Sequence, residues 1–147
     1  MSGSTLNRYI RVVRITRCTG KQLMKIIPTF VHGILDYVMG VALLLAPNLF
    51  GFADVGGAAV MVPRIVGIVI ILQSLMTAYE LGLMKVLPLK VHLMNDYVAS
   101  IFLAASPWLF GFAGNKTNVW LPHVVVGLAI LGTTWMTKTA APAAATR

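Results

Sequence analysis

Charge is scarce in these 147 residues: 11% are Asp, Glu, Lys or Arg, against about 25% in an ordinary soluble domain. Acidic residues are rarest, four against 12 Lys+Arg, which leaves a formal net charge of +8. Cysteine occurs once, at Cys18, which excludes an internal disulfide and any multi-cysteine metal or redox site. What fills the chain instead is apolar, 58% of residues with a mean hydropathy of +0.83. Such a composition excludes disorder, which needs low hydrophobicity, and leaves too little polar surface for a water-soluble fold. A basic balance in so apolar a chain points to membrane orientation and anionic lipid, and away from nucleic acid.

Four stretches approach the roughly 20 apolar residues that cross a bilayer. They are Thr29–Ala46, carrying His32 and Asp36; Ala58–Tyr79, with Arg64 inside and Glu80 beyond; Leu89–Ala105, carrying Lys90, His92 and Asp96; and Val119–Met136, with His123. The second and fourth lack the polar stripe that a soluble bundle helix shows. The expectation is an all-α bundle of four transmembrane helices, the first and third short at about 26 Å. Ten of the Lys and Arg residues fall on one side of these spans, leaving Arg64 and Lys116 on the other. The positive-inside rule then puts both termini in the cytoplasm. Residues 1–22 read as a basic cytoplasmic leader. Its Arg8, Arg11, Arg14 and Arg17 either line an interfacial helix on anionic headgroups or simply set topology. It has no uninterrupted apolar run of the kind a cleavable signal needs. Residues 139–147 read as a flexible tail.

The chain repeats itself at an offset of 60 residues. Leu23-Met24-Lys25 recurs as Leu83-Met84-Lys85, Val31-His32 as Val91-His92, and Asp36-Tyr37-Val38 as Asp96-Tyr97-Val98. Pro47 recurs as Pro107, and Leu49-Phe50-Gly51-Phe52-Ala53 as Leu109-Phe110-Gly111-Phe112-Ala113; 16 of the 31 residues from 23 to 53 are identical. The chain therefore divides into two-span repeats over 23–82 and 83–138. Because each repeat has an even number of spans, both enter from one side, related by a pseudo-two-fold axis along the membrane normal. Spans one and three should then pack together, with His32 near His92 and Asp36 near Asp96.

The stretch Ser106-Pro107-Trp108-Leu109-Phe110-Gly111-Phe112 resembles the signature of the SPW-repeat family, over roughly residues 23–138. The first copy, Ala46-Pro47-Asn48-Leu49-Phe50-Gly51-Phe52, departs at the Ser and the Trp. The resemblance implies a small bacterial membrane protein of two repeats, hence the inner membrane, and assigns no activity to any residue. Physically, Pro47 and Pro107 are expected to stop their helices, Trp108 to sit at the headgroups, and Gly51 and Gly111 to permit a tight turn. A re-entrant binding loop is the alternative for this motif.

His32 with Asp36, and His92 with Asp96, are each four apart and so share a helix face. A carboxylate inside a bilayer costs about 2.5–3.5 kcal/mol, so it must be paired, protonated or facing water. Three roles suit the pairs: glue between helices, a proton or ion path or small polar-ligand pocket, and metal or haem ligation. Glue leads, because polar contacts between membrane helices are ordinary. Ligation trails, because His-x-x-x-Asp is a weak motif and His123 belongs at the other membrane face. No nucleophile elbow, phosphate loop or zinc-protease motif occurs in the sequence. The reading is a structural or accessory membrane protein without catalytic residues, metal or cofactor, in a homo-oligomer or with other membrane proteins. A small transporter or proton/ion pathway using the four residues is the alternative.

Overall fold

A computed structural model describes residues 25–139. The basic leader and all but the first residue of the tail lie outside the described residues. Among those described, four helices follow one another: α1 (Thr29–Leu49), α2 (Gly57–Met76), α3 (Leu89–Leu109) and α4 (Thr117–Met136), with a 3-10 turn at Ala53–Val55 between α1 and α2. The duplication is plain in their lengths, 21 residues for α1 and α3 and 20 for α2 and α4.

Within each repeat the two helices form a hairpin, α1 against α2 and α3 against α4. Small residues set their spacing. A Cβ on Gly67 of α2 would lie 2.6 Å from the carbonyl oxygen of Gly40 on α1, and one on Gly127 of α4 would lie 2.8 Å from that of Ser100 on α3. Lipid gives no hydrophobic drive for helix association, so membrane helices gain contact by such close approach.

Between repeats, α2 lies beside α3 and α4 beside α1. The first and third helices thus face each other across the bundle diagonal. This corrects the expectation that they are packing neighbours: the hairpin partners occupy the flanking places, and α1 meets α3 through inward side chains.

The core is layered. Leu43, Val62, Val66, Ile70, Leu103 and Ile130 fill its middle. Toward the Pro47 and Pro107 end, Phe52 and Phe112 close the bundle with Ala46, Ala59, Val60 and Val119. The opposite end is polar. Outward faces such as Val38, Val41 and Leu45 on α1, and Val98 and Ile101 on α3, are apolar and exposed. A soluble protein buries such faces; lipid takes them without cost.

Three of the four helices are long and apolar enough to cross a membrane. The fourth, α3, is as long, but its His92, Asp96, Ser100 and Ser106 dilute its hydropathy, and all four are fully buried. α1 and α3 also run further than the sequence suggests, to about 31 Å at ~1.5 Å per residue. Pro47 and Pro107 do not stop them; each sits inside the last turn. The stop comes at Gly51 and Gly111, with φ of 66° and 72°. There Phe52 N–H donates to Pro47 O at 2.8 Å and Gly51 N–H to Asn48 O at 3.3 Å, and Phe112 and Gly111 repeat the pattern on Pro107 and Trp108. This is a Schellman cap, whose left-handed residue is best glycine. The repeated motif is therefore a helix terminus. Of each Phe pair one ring is buried, Phe52 or Phe112, and the other, Phe50 or Phe110, faces outward. Trp108 is also exposed.

Candidate functional site: a buried His–Asp centre

The four ionisable residues singled out in the sequence meet in the polar end of the bundle. Position 32 lies one turn into α1 and position 92 one turn into α3, each after a proline that opens the helix. With α1 and α3 facing across the diagonal, the i, i+4 faces of both helices point at one spot. His32 Nε2 is 3.3 Å from His92 Nε2. Asp96 Oδ2 lies 3.2 Å from the first and 3.1 Å from the second. Asp36 Oδ2 lies 3.0 Å from His92 Nε2, and its Oδ1 3.6 Å from His32 Nε2. No side chain of the four is more than 7% exposed. Each histidine thus contacts both its own hairpin's aspartate and the other's.

The outer nitrogen of each ring is held by a threonine that the sequence reading did not single out. His92 Nδ1 is 2.9 Å from Thr77 Oγ1, and His32 Nδ1 is 3.0 Å from Thr137 Oγ1. Both hydroxyls spend their hydrogens on backbone, Thr77 on Gln73 O and Thr137 on Thr133 O, each at 2.6 Å. The oxygens must therefore accept from the rings. This network assigns an Nδ1–H to both histidines. The support is reciprocal, for Thr77 of the first repeat orients His92 of the second, and Thr137 orients His32. The clue was present, since Thr77 and Thr137 are 60 apart; hydroxyls at helix ends are too common to mark a site.

The aspartates are steadied from α2. Ser74 Oγ donates to Asp36 Oδ2 at 3.0 Å, and Gln73 Nε2 donates to Asp96 Oδ1. Gln73 Oε1 is buried with no partner among the described residues, as is Tyr79 Oη. Tyr79 packs against Gly33, where a Cβ would strike its ring, and beside His92 at 5.9 Å between centroids. It covers the centre from the helix-end side. The repeat is broken here: α4 offers Thr133 and Thr134 in place of Gln73 and Ser74, and both donate to Ile130 O instead.

The other motif residues serve the frame. Proline at 107 removes the N–H that would reach Leu103 O, and Ser106 Oγ donates to that carbonyl at 2.7 Å. Proline at 63 likewise frees Ala59 O, and His123 faces it from α4 with Nε2 at 3.0 Å, while its Nδ1 lies 2.9 Å from Val119 O. Val119 O has the helix's own N–H, so the ring's Nε2–H tautomer, which fills Ala59 O, is the one that leaves no carbonyl bare. That ring sits between Phe52 and Phe112, far from the centre. Arg64 donates to Asn48 Oδ1 at 3.1 Å.

No curated protein and no solved structure matches this chain. The family model for the SPW repeat domain matches residues 30–137, from the first turn of α1 to the threonine that holds His32. With both repeats, their helix-ending motif and their apolar helices within that match, the chain belongs to the SPW repeat family of membrane proteins.

Proposed function

We propose that this chain is a non-enzymatic structural or accessory protein of the bacterial inner membrane, with both termini cytoplasmic and the His–Asp centre tying its two hairpins together. The observation that carries this reading is that the centre is sealed at both ends. Toward the Phe52 and Phe112 end, Leu43 and Leu103 stand two turns beyond the aspartates at 1% and 0% exposure, with Ile70 and Ile130 in the same layer. Toward the other end Thr77, Thr137 and Tyr79 are buried over it. A pathway for ions needs a water-lined route on at least one side. Buried polar contacts that join one hairpin to the other are what intramembrane glue looks like.

Orientation rests on the Lys and Arg bias. On this reading the leader arginines lie against anionic headgroups, and the exposed apolar helix faces pack against further copies or other membrane proteins. A reporter fused at Asn115 should be extracytoplasmic and one at the C-terminus cytoplasmic; a cytoplasmic Asn115 sinks the topology. In liposomes the protein should pass no proton or cation above empty vesicles, and Asp36→Asn with Asp96→Asn should lower folded yield. A wild-type flux that this double variant abolishes while still folded overturns the accessory reading in favour of a pathway. Native mass spectrometry in mild detergent should find oligomers, and a strict monomer counts against assembly.

A further inference from the structure

The spacing of His32, Asp36, His92 and Asp96 along the chain makes only a weak metal motif, but their arrangement in space makes a strong one. We propose that these four residues bind one divalent first-row transition-metal ion, of the zinc or iron(II) kind, which clasps hairpin to hairpin. The proposal does not rest on the accessory reading, and stands or falls with the geometry of the centre.

The first argument is shape. Each of the four residues offers one ligand atom, and these atoms lie within 4.8 Å of one another. Donors about 2.0–2.1 Å from a tetrahedral zinc are separated by roughly 3.3 Å. The His–His, His92–Asp36, His92–Asp96 and His32–Asp96 separations are 3.3, 3.0, 3.1 and 3.2 Å, and His32–Asp36 is wider at 3.6 Å. Four of the six edges thus already match a coordination tetrahedron, and a small shift of Asp36 closes the other two.

The second is the count of donors. With Nδ1–H of each ring given to a threonine, a neutral histidine presents a lone pair at Nε2. Two lone pairs and two carboxylates then converge, and Ser74 and Gln73 supply hydrogens only at the carboxylates. Protonating both Nε2 atoms does not resolve this, since it aims two N–H groups at each other across 3.3 Å. The centre fills with protons only if one ring and one carboxyl each take one, so protons and a metal ion compete for it. A cation in the middle satisfies all four acceptors at once. A divalent one also cancels the two carboxylate charges, so the loaded centre carries no net charge into the low dielectric.

The third is the surrounding shell. Ligating imidazoles typically donate their other N–H to a fixed oxygen, and ligating carboxylates accept hydrogen bonds of their own. Thr77, Thr137, Ser74 and Gln73 provide all four of these contacts. Two imidazoles with two carboxylates suit zinc or iron(II), whereas magnesium and calcium prefer oxygen throughout.

The test uses the full chain without an affinity tag, purified in mild detergent from zinc- and iron-supplemented cells, with folding checked by circular dichroism and gel filtration. Elemental analysis should find close to one zinc or iron per chain, and His32→Gln with His92→Gln should lose it, while Asp54→Asn in the exposed loop keeps it. Chelator-stripped protein titrated with cobalt(II) should develop the visible bands of four-coordinate cobalt, saturating at one equivalent, and should gain thermal stability. Thr77→Val or Thr137→Val should keep that stoichiometry with cobalt affinity about 10–100-fold weaker, a change that a merely structural threonine would not cause. Folded wild-type protein with neither stoichiometric metal nor saturable cobalt binding overturns the proposal, as does a folded double-histidine variant that retains the metal. If that variant does not fold, the cobalt titration of the wild type decides alone. Ion flux in liposomes would overturn the accessory role and leave the metal result untouched.

Discussion

Two single residues show how this chain meets the demand that no backbone carbonyl be left unpaired in lipid. Ser106 replaces the donor that Pro107 lacks, at Leu103 O. Ser106→Ala should therefore cost about 0.5–1.5 kcal/mol in detergent unfolding, the usual net worth of one hydrogen bond. Such a serine cannot be inferred from spacing alone, because Ala46 fills the equivalent place in the first repeat. His123 does the same work between helices. His123→Leu strands Ala59 O and should cost about 1–3 kcal/mol. In a Pro63→Ala background the helix regains its own N–H to that carbonyl, so the same substitution should cost less. A coupling of about 1 kcal/mol in that double-mutant cycle is expected, and strictly additive effects would show that His123 acts by packing alone. The sequence placed His123 at the opposite membrane face from the His–Asp pairs, and in the bundle it lies at the opposite end from them, beside Phe52 and Phe112. Its partner depends on which residue α2 sets opposite it.

At the level of elements, the apolar runs marked the four helices, and the motif marked where α1 and α3 end. The boundaries moved because a proline in the last turn loses only one hydrogen bond, while the glycine beyond it can adopt the conformation that closes a Schellman cap. Which faces touch was less legible, since Gly67, Gly127 and Gly132 look alike in the chain. In the bundle they differ: a Cβ at Gly127 meets backbone of Ser100 and Ala104 at 2.8 Å, while one at Gly132 meets nothing within 4 Å. Gly127→Ala should thus destabilise the second hairpin by about 1–3 kcal/mol, as overpacking does. Gly132→Ala should be neutral or gain up to ~1 kcal/mol from helix propensity. Equal effects in detergent unfolding would mean that the α3–α4 approach is looser than described.

For the whole molecule, the 60-residue period already implied a pseudo-two-fold with His32 facing His92, and both hold. What a repeat cannot show is which helices are neighbours, because two hairpins related by an axis can place α1 and α3 side by side or diagonally. The structure settles it through the chain ends. Thr77 pairs with Leu87 in a parallel bridge, and Thr137 pairs with Ile27 in the same way. Leu87 N–H donates to Met76 O at 2.8 Å, and Ile27 N–H to Met136 O at 3.0 Å. The second junction is thus built like the first, although no covalent loop spans it. A circular permutant follows from this. It would begin at Lys85, run through α4, join Thr137 to Ile27 by a copy of residues 78–86, and end after Met84. Both ends and the new loop stay on the side of the membrane where the present loop and the ends of the described chain lie. The Tyr79 cover over Gly33 and the Thr29–Glu80 hydrogen bond at 2.7 Å are also retained. Permutation is tolerated where it cuts a surface loop and rejoins nearby ends. The permutant should show the parent's helical circular dichroism and unfold cooperatively at a similar temperature. Failure to fold, with the parent folding under the same conditions, would mean that the covalent 78–86 loop carries stability that the bridge between Ile27 and Thr137 does not reproduce.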